Sequence, residues 1–304
     1  MRSFPVTVSP KAPPIKSQGI KTKLAPFILS SFRWDGAGRW VEPFVGSGAV
    51  AFNAAPERAL LADSNKHIIR FYQAIQAGEL TAEKARDYFV KEGAKLLQLG
   101  GDHYYAVRTR FNAEGNPLDF LFLSRACFNG VMRFNSKGGF NVPFCKKPDR
   151  FRQAYVTKIC NQIRWVSTLM SKRKWTFVHQ DWRQTLSQVA AKDFAYIDPP
   201  YVGRHTDYFN SWDETAADDL AKMLRELSCG FAYSMWSKNK YRENEHLKRW
   251  FSDFAITTFK HFYHVGSTEN LRNEMEEALV ITPRFAVERT AEKPAEAAPQ
   301  LALL

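Results

Sequence analysis

The sequence is short of acid. Thirty-one Asp and Glu stand against 43 Lys and Arg in 304 residues, a formal charge of +12. Such an imbalance favours a polyanionic partner through counterion release, and nucleic acid is the first candidate; the plainer reading is a solubility charge spread over the surface. Cysteine is scarce too. Cys127, Cys145, Cys160 and Cys229 show no CxxC spacing, and the nearest pair is fifteen residues apart. This excludes a disulfide scaffold, argues against zinc and leaves buried free thiols in a reducing compartment. The seven histidines form no HxH or HExxH pattern, so no metal centre is expected. No apolar run approaches the ~18–20 residues of a membrane span. Met1-Arg2-Ser3-Phe4-Pro5 lacks the apolar core of a signal peptide. The expectation is a cytoplasmic protein with no membrane association.

What the chain does have is a strand–helix rhythm. With 45% hydrophobic residues it can bury a sizeable core, as two domains or as one α/β domain with a large insertion. Residues 1–16 hold Pro5, Pro10, Pro13 and Pro14 and read as an extended N-terminal arm, while 288–304 read as a disordered Ala/Glu/Pro-rich tail. Strands are expected at Arg39–Phe44, Ala59–Ala62, Trp175–His179, Phe194–Ile197 and Phe231–Met235, with Ala278–Thr282 closing the sheet. Helices are expected at Asn65–Gln76, Ala216–Leu227 and Tyr241–Trp250. The pattern predicts an α/β fold with a doubly wound, mostly parallel sheet over 17–78 and 171–287. Residues 79–170 break the rhythm. They read as helices at Ala82–Leu97, Tyr104–Phe111, Pro117–Ala126 and Arg152–Leu169, plus a hairpin at Gly130–Phe144 turning at Lys137-Gly138-Gly139. This is a helical insertion between the second and third strands.

The sharpest motif is Asp198-Pro199-Pro200-Tyr201, directly after the strand Phe194–Ile197. Open α/β sheets bind ligands beyond the carboxyl ends of their strands, and two prolines stiffen such a loop while removing two donors. A carboxylate, rigid carbonyls and an aromatic ring remain. That set suits methylation of an exocyclic amine on a base, whose lone pair is delocalised into the ring. Acceptors at Asp198 and the Pro199 carbonyl would draw its N–H bonds toward tetrahedral geometry, with Tyr201 stacked on the base. The alternative is a Pro-rich turn that only ends a strand.

A second motif runs Val41-Glu42-Pro43-Phe44-Val45-Gly46-Ser47-Gly48-Ala49-Val50. Strand, glycine turn and helix start let backbone approach a nucleoside cofactor closely. Asp63, at the end of the next strand, can accept both ribose hydroxyls. Ala51 stands at the third glycine of the dinucleotide fingerprint, and nothing before it supports NAD. His179-Gln180-Asp181-Trp182 adds a carboxylate and an aromatic at the same edge. Asp181 is also a good N-cap, and the two roles are compatible.

The order Gly19-Ile20-Lys21, Glu42–Gly48 and Asp198–Tyr201 resembles the Dam-type (D12 class) site-specific DNA adenine-N6 methyltransferases. The resemblance runs from about Pro14 to Thr282. It implies a Rossmann-like methyltransferase fold, S-adenosyl-L-methionine as cofactor, and a target-recognition insertion between cofactor and catalytic halves. By the same resemblance Gly19, Lys21, Glu42, Phe44, Gly46, Gly48, Asp63, Asp181, Trp182 and Asp198 belong to the cofactor site. Asp198, Pro199, Pro200 and Tyr201 form the catalytic loop. Ser124–Asn135 and Phe140–Phe144 look like the family's DNA-reading hairpin, with Arg125, Asn129, Val131, Arg133, Asn135 and Pro143 as DNA contacts.

Chemistry fits those assignments. Arg133 suits a bidentate contact with guanine, Asn129 and Asn135 suit adenine or phosphate, and Val131 and Pro143 could touch a thymine methyl. The competing reading is that Asn and Gly here simply make turns. Tyr208, Phe209 and Trp212 are candidates for the pocket of an extruded base or for packing under the loop. Lys172-Arg173-Lys174 is a solvated turn or a phosphate contact. One departure is Ser17, where the family carries an aromatic residue two positions before the glycine; Ile20 also replaces a common second glycine. The expected function is methylation of double-stranded DNA at adenine N6, with base flipping and a target containing GAT, GATC in particular. No obligate protein partner is inferred, and a companion restriction enzyme is compatible with this reading. The rivals are an RNA adenine methyltransferase, which has little use for a groove-reading hairpin, and a non-catalytic DNA-binding protein on a degenerate fold.

Overall fold

The computed structural model describes residues 9–17, 19–201, 212–238, 243–262 and 274–287. Its centre is a seven-stranded sheet. The strands are β1 (Trp40–Glu42), β2 (Arg58–Asp63), β3 (Lys174–His179), β4 (Phe194–Ile197), β5 (Gly230–Lys238), β6 (Ala255–Phe262) and β7 (Glu274–Ile281). They lie in the order β3-β2-β1-β4-β5-β7-β6. β1 pairs in parallel with β2 and β4, β2 with β3 and β4 with β5, whereas β7 runs antiparallel to both β5 and β6. The chain order therefore reverses between β1 and β4, the crevice where an open α/β sheet takes its ligands.

Ten helices are described: α1 (Ala25–Ser30), α2 (Ala49–Ala54), α3 (Lys66–Gln76), α4 (Ala82–Leu99), α5 (Gly101–Glu114), α6 (Pro117–Ala126), α7 (Gln153–Ser171), α8 (Trp182–Leu186), α9 (Glu214–Arg225) and α10 (Glu245–Phe251). Their starts are legible chemically. Asn65, Thr81, Asn116, Asp181, Asp213 and Asn244 each accept a backbone N–H as N-caps of α3, α4, α6, α8, α9 and α10. Strand alternation divides the core. Trp40, Leu61, Phe194, Tyr196, Leu279 and Ile281 face one apolar cluster, while Val41, Leu60, Ala195, Ile197, Ala278 and Val280 face the other. The first cluster continues without a break into Phe89, Phe120 and Val166 of α4, α6 and α7. The helical segment thus packs on α3, which lies on β2 and β3, and shares one core with the sheet.

Several expectations shift. The first strand stops at Glu42, because Pro43 offers no donor and the glycine turn begins. β6 was missed: at the sheet edge its inward residues Ala255, Thr257 and Phe259 are only half-buried and the apolar Ile256 faces outward, so hydrophobicity does not alternate along the run. Of the arm, residues 1–8 lie outside the described residues, and the rest is anchored. Pro13, Pro14 and Ile15 are buried. Lys11 exchanges two 2.9 Å hydrogen bonds with the Asn53 side chain, and the Lys16 N–H donates to Ser124 Oγ at 3.1 Å. The arm straps α2 to α6. The tail 288–304 lies outside the described residues. Cys127, Cys160 and Cys229 are buried, and all four cysteines are free thiols.

Candidate active site

The glycine turn after β1 is fixed by backbone. Val45 N–H donates to Ala62 O at 2.8 Å, Gly48 N–H to Val45 O at 2.7 Å, and the buried Tyr72 hydroxyl to Ser47 O at 2.5 Å. Gly48 has φ +71°, and a Cβ there would lie 2.5 Å from the Phe52 ring, so both the turn and its packing require glycine. Gly46, at φ +49°, donates its N–H to Asp63 Oδ2 at 2.9 Å. The other Asp63 oxygen accepts the Asn65 N–H at 2.8 Å. One donor on each oxygen fixes the carboxylate and leaves lone pairs for further donors such as vicinal hydroxyls. Burial pushes its pKa up to about 6, against the pull of those two N–H groups.

Glu42, at the end of β1, is buried and accepts Trp40 Nε1–H at 2.8 Å. Burial pushes its carboxyl up to about 8, so it is mostly protonated at neutral pH. Phe44 is half-buried, with Trp212 edge-on at 5.5 Å and Trp182 at 6.3 Å. This sides with packing for Trp212; Tyr208 and Phe209 lie outside the described residues. Asp181 is exposed and caps α8 through Arg183 N–H at 2.8 Å, so the capping role is present and a carboxylate face stays open to solvent. Trp182 is buried, with the Arg183 guanidinium 4.2 Å over its ring.

At the end of β4 the structure brings Lys21 and Asp198 together. Lys21 Nζ lies 2.9 Å from Asp198 Oδ1, 3.3 Å from the Gly19 carbonyl, 3.8 Å from Glu277 Oε2 and 5.1 Å from the centre of the Tyr201 ring. Burial raises the Asp198 pKa, Lys21 opposes the rise and Glu277 adds to it. Pro199 is buried, and Pro200 and Tyr201 are half-buried. Glu277 was missed from sequence. Its signal was there: on β7 it shares a face with Leu279 and Ile281, an apolar face on which a carboxylate needs a partner. Ser17 is half-buried, and Gln18 beside it lies outside the described residues.

The hairpin is present but has no regular ladder. Cys127 bridges Phe144 and Phe134 bridges Phe140, and the links between are single hydrogen bonds such as Phe128 N–H to Pro143 O at 2.8 Å. Side chains do the bracing. Asn112 brackets Phe140 with bonds of 3.1 and 2.8 Å, Tyr104 donates to Val142 O at 2.8 Å, and His67 stacks on Phe134 at 5.4 Å. Asn129 and Pro143 are exposed, and Asn129 takes the left-handed φ of +53°. Val131 is half-buried against the core. Arg133 is half-buried, with Nε donating to Asn141 Oδ1 at 2.8 Å. Asn135 makes the turn, accepting Lys137 N–H at 3.0 Å and Gly139 N–H at 2.9 Å.

Arg125 requires correction. It is 3% exposed, and its guanidinium donates to the Pro13 and Pro14 carbonyls and, at 2.6 Å, to Gln162 Oε1. A side chain so enclosed is a structural clamp between the N-terminal strap, α6 and α7, and it has no face left for a base. Among the described residues no group of three His, Cys, Asp or Glu could hold a metal ion, and no helix is long and apolar enough to cross a membrane.

The crevice thus holds a glycine cradle beside an anchored carboxylate and, one strand away, a second carboxylate on a stiff aromatic loop. Such a set can seat a nucleoside and hold a planar amine next to it. Comparison with known proteins gives the family. The profile of the D12 class N6 adenine-specific DNA methyltransferases matches residues 17–265. A DNA adenine methylase of Serratia marcescens is 29% identical over 236 residues, 72% of this chain and 80% of that protein. A DNA adenine methylase of Vibrio cholerae is 28% identical over 262 residues, 81% of this chain and 88% of that protein. The type II methyltransferase M.MjaIII of Methanocaldococcus jannaschii is 29% identical over 212 residues, 62% of this chain and 69% of that protein.

Proposed function

The chain belongs to the D12 class of N6 adenine-specific DNA methyltransferases, and from that premise we propose that it methylates one adenine in a short duplex site containing GAT, GATC in particular, using S-adenosyl-L-methionine. The carrying observation is the placement of Asp198 and Pro199 at the end of β4, next to the glycine turn that follows β1. The cradle fits the cofactor chemically: an open glycine turn, and a carboxylate at Asp63 with lone pairs for two hydroxyls. When bound, S-adenosyl-L-methionine supplies an electrophilic methyl group.

The residues of this chain do the rest. Asp198 keeps Oδ1 on Lys21 and offers Oδ2 to one N–H of the target amine, and the Pro199 carbonyl takes the other. Tyr201 stacks on the base, so the nitrogen lone pair is drawn out of the ring and aimed along the displacement axis. The methylated nitrogen loses one proton, for which the Asp198 carboxylate with its raised pKa is a fit acceptor. An adenine within the stack cannot reach this loop, so it is flipped out at a cost of a few kcal/mol. The hairpin reads the site from the major groove, with Arg133 on guanine and Val131 and Pro143 near a thymine methyl. Duplex DNA is the partner, the cytoplasm the place of action, and a companion restriction enzyme is compatible with this activity.

The test is methylation of unmodified plasmid DNA by purified protein, mapped base by base by long-read sequencing. N6-methyladenine at one recurring GAT-containing site is the expected result. Methylation at a site without GAT would overturn the target, and no methylation with S-adenosyl-L-methionine bound would overturn the substrate.

A further inference from the structure

The helical segment treats its cations in two ways. In one corner each has an acid: Arg110 Nε donates to Asp119 Oδ2 at 2.8 Å and Arg110 Nη2 lies 3.4 Å from Glu92, which also takes Lys95 at 3.1 Å. The second corner lies where the chain leaves the hairpin and enters α7. There Lys147, Arg150, Arg152, Tyr155 and Lys158 line an open cavity of about 430 Å³, with Asp149 the one carboxylate on its wall among the described residues. Asp149 is paired with Arg152.

Behind the cavity the excess of positive charge deepens. Arg150 donates to the Tyr155 hydroxyl at 3.1 Å and lies 4.6 Å over its ring. The buried Arg125 donates to the same phenol oxygen at 3.3 Å. Arg150 otherwise reaches the Arg125 carbonyl at 2.8 Å, so main-chain, amide and phenol oxygens are the acceptors these two guanidinium groups find. Lys16 stands close enough to Tyr155, Arg150 and Arg125 to feel all three. Burial would raise the Tyr155 phenol, but Arg125, Lys16 and Arg150 outweigh it and pull it below its ordinary value. Six cations and one carboxylate gathered in one place repel one another, and a bound anion removes that cost. The first turn of α7 adds N–H groups that the Arg152 side chain does not cap.

We propose that this cavity binds a phosphodiester of the DNA backbone, beside the bases the hairpin reads. The inference rests on the DNA reading above. A polymer is favoured over a small phosphate by continuity. The hairpin closes at the Cys127–Phe144 bridge, three residues before Lys147, and Lys16 packs against Gly130 where the hairpin's first strand begins. A strand lying along the hairpin meets this open wall next.

The test uses the full chain and the triple variant Lys147→Gln, Arg152→Gln, Lys158→Gln, whose altered side chains are all exposed. Binding to duplex DNA is measured across salt concentrations. The slope of log Kd against log salt should fall by about 0.9 for each phosphate that the variant no longer neutralises. Single neutral methylphosphonates are then walked along the flanks of the site. One flanking position should weaken wild-type binding several-fold and leave the variant unaffected. An unchanged slope, or equal methylphosphonate penalties in both proteins, overturns the proposal. So does competition by inorganic phosphate without any change in the DNA slope, which would mark a small-anion site. If the wild type binds and methylates duplex DNA while the variant matches it in slope, only this inference fails. If the wild type does not bind duplex DNA at all, the functional reading falls with it.

Discussion

The carboxyl edge of the sheet and the helical segment carry charge in opposite ways. At the sheet edge Asp198 and Glu277 flank the buried Lys21, while Glu42 and Asp63 stand at neighbouring strand ends, each held by a hydrogen bond. In the helical segment cations outnumber acids around the cavity at the start of α7. Support differs as well. Strand ends and a glycine turn hold the acids, whereas the hairpin depends on the side chains of Asn112, Tyr104 and Asn135. An edge built on backbone can hold reacting groups in fixed positions, as bond-making requires. A surface built on side chains can adjust to a partner.

The largest expected effect lies at the edge. Asp198→Ala should slow methyl transfer at saturating substrates by about 10³-fold or more, since it removes an acceptor that acts on the reacting nitrogen. Duplex affinity should stay close to wild type. A wild-type single-turnover rate in this variant would sink the catalytic reading.

Two arginines then divide the helical segment. Arg125→Ala should destabilise the fold by about 3 kcal/mol, because the Pro13, Pro14 and Gln162 oxygens lose a buried donor. Denaturant unfolding measures this. Arg133→Ala should leave unfolding nearly unchanged and cost about 1–3 kcal/mol of discrimination at one base pair of the site. If the two variants change places, with Arg133 stabilising the fold and Arg125 setting specificity, the clamp assignment of Arg125 fails.

A smaller effect follows from Asp63. Its carboxyl titrates near 6 in the fold, and only the ionised form accepts hydroxyl donors with full strength. Cofactor affinity should therefore hold above pH 6 and weaken, at most about tenfold per pH unit, as pH falls below it. Calorimetry should show this slope in the wild type and a flat profile in Asp63→Asn. Smallest is Asn135→Ala, which should cost about 1 kcal/mol by freeing two turn N–H groups. A change in sequence preference larger than that of Arg133→Ala would reinstate Asn135 as a base reader.

Much of the edge was readable in the chain. The turn Gly46-Ser47-Gly48, Asp63 at a strand end and Asp198 after Phe194–Ile197 are local patterns, and the fold places them where sheet chemistry predicts. The capping role of Asp181 was equally visible. Arg125 and Arg133 were not separable, because both are arginines in one motif and only burial distinguishes them. Residue type alone suits Asn135 to a base or to a turn, and its two accepted N–H groups support the turn.

The sequence by itself determined the alternation of strands and helices, the glycine turn and the stiff acidic loop, because periodicity, backbone freedom and proline act over a few residues. Tertiary structure alone decided that Glu277 stands beside Lys21, that the N-terminal strap buries Arg125, and that Lys16 and Arg125 join the cations at the start of α7. Those pairings join segments up to about 250 residues apart. No local pattern encodes such distances; the sheet order and the packing of α6 and α7 against the strap do.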